Sequence, residues 1–180
     1  MSLRHYLTGP AVLAALALLG GCASFPQAIE VPEPDQLPQF TQVQASTDAF
    51  KGQTVVFGGS VVSVTNQADR SVVELLQLPL YDSGRPKPDT DKSSGRFRVV
   101  FSQFLDPQVY SNGRMLTVRG TVTGSEEGSI GEYPYRFLTL DGNGLYLWPE
   151  QTDDAQVHYY MGINTWYPYP AYVRPRQPRP

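Results

Sequence analysis

The stretch GQTVVFGGSV, Gly52 to Val61, decides the fold, because GRMLTVRGTV, Gly113 to Val122, repeats its pattern. Both read Gly-x-x-h-x-h-x-Gly-x-Val, with h apolar. Apolar residues at every second position give a strand one buried face, and the second glycine lets that strand bend. Bent strands are what a small barrel requires, since a sheet that closes on itself must coil. The echo fits either an internal duplication or two barrel strands under the same geometric demand.

Four further strands flank this pair. SVVELLQLPL, Ser71 to Leu80, follows the turn NQADR, and Pro79 either ends its pairing or puts it on an edge. RFRVVFSQF, Arg96 to Phe104, places Phe97, Val99 and Phe101 on one face. Tyr133 to Leu140 and Leu145 to Trp148 flank Asp141-Gly142-Asn143-Gly144, which reads as a hairpin turn because glycine accepts positive φ cheaply. DPQVYSNG, Asp106 to Gly113, reads as one short helical turn, with Asp106 as cap and Pro107 in the first helical position. Three strands, a short helix and further strands give an all-β fold, a small OB-like Greek-key β-barrel with one short helix.

Composition supports that class. The 180 residues carry 16 Gly and 16 Pro, with aromatics at 12%, a balance that favours strands and turns. A formal charge of −3 offers no broad basic field for nucleic-acid phosphates. No nucleic acid partner is expected.

Upstream of the barrel the chain begins MSLRHYLTGPAVLAALALLGGC. The apolar run Ala11 to Leu19 is about nine residues, well short of the roughly 20 that span a bilayer, so residues 1–21 read as a signal peptide. Leu19-Gly20-Gly21-Cys22 has the order of a lipobox: a branched apolar residue, two small residues that admit a peptidase, and a thiol to carry diacylglycerol. Cys22, the single cysteine of the chain, is therefore the expected lipidation site and the first mature residue. Two or three acyl chains, at about 0.8 kcal/mol per buried CH₂, anchor stably where one would not. With Ala23 and Ser24 after the cysteine, and no Asp, outer-membrane delivery is expected. A single cysteine also leaves no intrachain disulfide.

Residues 22–45 read as the lipidated N-terminus and a Pro-rich linker, with Pro26, Pro32, Pro34 and Pro38 between acidic residues. Semi-extended, Ala23 to Phe40 would reach roughly 50 Å. The segment either holds the domain off the headgroups or packs along its side. The barrel is expected over 46–150, and an aromatic, Pro- and Arg-rich tail over 151–180.

The lipobox, FKGQTVVFGGSVVSV, ELLQLPLYDSGRP, GRF, LDPQVYSNGRMLTVRGTVTG and GSIGEYPYRF leading to LYLW together resemble the Slp family of outer-membrane lipoproteins. The resemblance spans about residues 20–150. It implies a periplasm-facing envelope protein of Gram-negative bacteria without known catalysis, induced in starvation and stationary phase. Phe57 stands where members often carry Trp, and the loop PKPDTDKSSG is variable in the family. Both departures leave any ligand surface open.

Other chemistry finds little footing. Beyond the signal peptide only His158 remains, with no Gly-x-Ser-x-Gly elbow, so no catalytic, metal or cofactor site is expected. Glu126 and Glu127 are read as solvating charges in a turn rather than an acid/base pair. Asp89-Thr-Asp91 begins like a calcium loop, but Ser94 stands where glycine is required and Val100 where glutamate belongs. Arg96, Arg98, Arg114 and Arg119 either form a positive patch for an anionic glycan, peptide or headgroup or are ordinary solvated positions. In the tail, Trp166, Tyr167, Tyr169, Arg174 and Arg176 suit a membrane interface, lipopolysaccharide or a glycan, or else the aromatics cover the barrel's open side.

Overall fold

The computed structural model describes residues 25–150. Five strands close into a barrel in the order β1-β2-β3-β5-β4: β1 is Thr54–Asn66, β2 Ser71–Leu78, β3 Arg96–Phe101, β4 Met115–Ile130 and β5 Tyr133–Leu147. Every neighbouring pair is antiparallel except β3 with β5, which run parallel. This is the small OB-like Greek-key barrel that the strand pattern predicts. Alternation sets the interior: β3 reads half-buried, buried, half-buried along its whole length. Phe57, Leu75, Phe97 and Val118 fill the core with their neighbours.

The two echoing stretches lie side by side, as the starts of β1 and β4. Val55 faces Gly120, Phe57 faces Val118 and Gly59 faces Leu116, so each bending glycine opposes an apolar residue of the other copy. The ends match as well. Gly52 N–H donates to Val122 C=O and Gly113 N–H to Val61 C=O, both at 2.9 Å. A local two-fold therefore relates the pair, and the repeated pattern is what two antiparallel strands need to satisfy each other's ends.

Three sequence expectations change. The hairpin does not turn at Asp141–Gly144; β5 runs straight through those residues. The reversal falls at Gly131-Glu132, between paired Ile130 and Tyr133, with Gly131 at φ +59°. Glu126 and Glu127, expected in a turn, accordingly lie in β4. They point to opposite faces, as strand neighbours must.

Asp106–Gly113 forms a hydrogen-bonded turn and no helix. Asp106 does cap it: its carboxylate accepts from Gln108 N–H at 2.8 Å and its carbonyl from Tyr110 N–H at 3.0 Å. The described residues instead place a helix, α1, at Phe40–Ala45, at whose start the Gln42 side chain reaches back to accept from Gln39 N–H at 3.0 Å.

The proline-rich segment is not a free spacer over its described part. Ile29 and Val43 are fully buried and Phe40 is 4% exposed. Short 3-10 turns at Gln27–Ile29 and Pro34–Gln36 use prolines at their starts, where no N–H is needed. The packed body thus includes this segment and runs to Glu150.

Candidate functional site

Thr117 is outward-facing on β4, between the inward Leu116 and Val118, yet it is fully buried. The loop after β2 covers it. Pro79 ends that strand, and the chain doubles back through Tyr81–Arg85, with Tyr81 N–H donating to Arg85 C=O at 2.8 Å. Gly84 sits at φ +82°. The Thr117 hydroxyl donates to Gly84 C=O at 2.7 Å and accepts from Trp148 Nε1–H at 2.9 Å. Trp148 stacks edge-on with Tyr146 at 4.6 Å, and the Arg85 guanidinium lies 5.8 Å above the indole.

The N-terminal segment seats on this assembly. A Cβ on Gly84 would stand 3.2 Å from Phe25 Cδ1 and 3.3 Å from Ile29 Cδ1. Arg119 Nη1 donates to Glu30 C=O at 2.7 Å, and its Nε donates to Asn143 Oδ1 at 2.9 Å. At Gly144 the backbone of the segment comes so close that a Cβ would lie 2.1 Å from Ala28 O. Only glycine admits that approach. Ile29, Val56 and Leu78 are buried here, outside the barrel's own interior.

Thr117→Val keeps the shape and removes the hydroxyl, leaving Trp148 Nε1–H and Gly84 C=O without their partner. We expect a loss of about 2 kcal/mol in urea denaturation, with faster amide exchange in the 81–86 turn.

Beside the seat lies an open groove of about 590 Å³ between the proline-rich segment and the β1–β2 face. Leu37, Phe40, Val56 and Leu80 give it apolar walls, Glu30, Asp35 and Asp82 give it negative charge, and among the described residues no basic one lines it. Among the described residues no cluster of three or more His, Cys, Asp or Glu is placed to hold a metal.

The GRP, GR-x-x-T-V-x-G and LYLW pieces thus converge on Thr117, three sequence-distant motifs building one seat. The model of the outer membrane lipoprotein Slp family matches residues 19–173. The chain belongs to the Slp family. It is 35% identical over 131 residues to the uncharacterized lipoprotein YeaY of Escherichia coli K12, covering 73% of this chain and 67% of YeaY. It is 34% identical over 142 residues to the outer membrane protein Slp of the same organism, covering 78% and 74%. Among solved structures it is similar to a small single-stranded DNA-binding protein from Streptomyces coelicolor, with 12% identity, TM-score 0.35, and coverage of 53% of this chain and 94% of that one.

In this Slp-family barrel the four arginines considered as a surface patch are bound internally. Arg96 and Arg98 reach across to Glu74 at 2.9 and 3.2 Å, and Arg98 also reaches Glu126 at 3.3 Å while lying 3.8 Å over the Phe137 ring. Arg114 donates to Val109 and Trp148 carbonyls and lies 3.3 Å from Glu150. Arg119 holds the N-terminal segment, so the four do not form one free patch. Cys22 and the tail residues Trp166, Tyr167, Tyr169, Arg174 and Arg176 lie outside the described residues.

The sequence leaves open that the segment packs along the domain, but not where it seats. Its signals were present: Phe25 and Ile29 are four apart, and Phe40 and Val43 three apart, the spacing of one helical face. The density of proline around them argued the other way.

Proposed function

We propose that the chain is acylated on Cys22, held in the inner leaflet of the outer membrane facing the periplasm, and protects the envelope under starvation, stationary-phase or acid stress without catalysis. The family match over 19–173 carries this reading, since that span takes in both Cys22 and the motifs that seat the N-terminal segment on the barrel. Such a seat suits an anchored protein: it holds the barrel where the lipid holds the chain.

Cys22→Ser is the test. The variant is expected to leave the membrane fraction almost completely, and a strain carrying it should be as permeable to apolar dyes in starvation as the deletion strain. Full protection by a soluble Cys22→Ser chain would contradict the proposal.

The groove favours a second reading, a periplasmic binding module for a peptide, glycan or partner protein. Its apolar walls and carboxylates suit an apolar segment flanked by positive charge. A module of this kind would have a saturable partner in crosslinking, and Leu37→Arg, which replaces an apolar wall with a bulky cation beside the groove's three carboxylates, should abolish capture.

A further inference from the structure

The anchor and the barrel are closer than the sequence implies. Phe25 rests on the 81–86 turn, with its ring edge 3.2 Å from where a Gly84 side chain would begin. Three peptide units separate Phe25 from Cys22, a reach of at most about 11 Å. A barrel tethered this way cannot stand off the bilayer, and whatever surrounds Phe25 is held at the headgroup layer.

What surrounds it has the chemistry of that layer. Tyr81 is 49% exposed, and the Lys87 ammonium lies 5.2 Å over its ring. Arg85 sits above Trp148 in the same way. Aromatic rings with polar tips, and cations carried on apolar stems, partition to the boundary between hydrocarbon and water. The carboxylates of Glu30, Asp35 and Asp82 line the groove that Phe25 and Tyr81 share, whereas Arg85 and Lys87 do not line it; Glu150 is already drawn to Arg114. Among the described residues, β4 pairs with β1 only as far as Thr121, and β3 reaches β5 only from Leu138 onward. The hairpin continues past these pairs to Gly131-Glu132, about 40 Å along β4 from Thr117, and is braced where the Tyr135 hydroxyl accepts from Arg96 N–H at 2.8 Å.

We propose that the face formed by Tyr81, Arg85, Lys87 and Trp148 lies on the anionic headgroup layer of the membrane that holds Cys22, with the β4–β5 hairpin directed away from it. The proposal rests on the acylation of Cys22 set out above, and its test separates the two.

The full acylated chain, extracted from membranes, is reconstituted into vesicles of phosphatidylethanolamine and phosphatidylglycerol. Acylation consumes the one native thiol, so a cysteine introduced as Asp82→Cys or Glu132→Cys accepts a fluorophore uniquely. Headgroup spin-labelled lipid should quench the probe at 82 several-fold more than the probe at 132. In an Arg85→Gln/Lys87→Gln background that difference should shrink markedly. Equal quenching at both positions, in chains that still float with the vesicles, overturns the docking face and leaves the anchor intact. A probe at 82 that is shielded from iodide in native membranes but unquenched in pure lipid also overturns it, and assigns the face to a protein partner. Uptake of the thiol label by the wild-type chain overturns acylation, and the docking face with it.

Discussion

Phe40→Ala will lower the unfolding free energy by about 3–5 kcal/mol, the cost of emptying a buried aromatic site. The Phe40 ring is 4% exposed and stands edge-on to Phe57 at 5.2 Å and tilted against Phe97 at 5.6 Å. Phe57 and Phe97 are themselves in contact at 6.0 Å, so the three rings form one closed cluster spanning α1, β1 and β3. Removing Phe40 leaves the other two facing a void that the backbone cannot close, because both are fixed by ladder hydrogen bonds. Urea denaturation followed by tryptophan fluorescence measures the loss. A free spacer would tolerate the same change with no shift in midpoint.

Gly142→Ala ranks next. Its Cβ would stand 2.3 Å from Phe101 Cε1 and 2.6 Å from two further atoms of that ring, and Phe101 is 3% exposed with no room to move. Overpacking of this kind costs about 3 kcal/mol. The comparison is Gly131→Ala, at the true reversal, where nothing lies within 4 Å of the new methyl and the positive φ alone costs about 1 kcal/mol. Were Asp141–Gly144 the turn, the order of the two variants would reverse. Thermal denaturation of the pair decides between the two placements.

These two positions also show what the sequence can carry. Alternation in β1, β2, β3 and the first half of β4 was legible because a half-buried strand writes its two faces into consecutive residues. The run DGNG was not, because glycine is selected for two different physical reasons. Positive φ is local and marks a turn; close approach is tertiary and marks a contact. Here the approaching groups are the Phe101 ring and the Ala28 carbonyl, both far away in sequence, so the local reading took the wrong cause.

The proline-rich segment stays open between spacer and packed strip in the sequence for a related reason. Proline blocks a helix interior but is welcome at the first position of a turn, and Pro26 and Pro34 sit at such starts. The arginines were visible as charges, but their partners were not. Arg119 is satisfied by the Glu30 carbonyl and Asn143, an arrangement that exists only once the segment is seated. The family motifs could be seen singly, but their meeting at Thr117 could not, since it depends on a loop folding over an outward-facing strand position.

Acylation of Cys22 is tested most directly by the intact mass of the chain extracted from bacterial membranes. It predicts a polypeptide beginning at Cys22 and carrying the added mass of a diacylglyceryl group and one acyl chain. A chain bearing an unmodified thiol at Cys22 would contradict it.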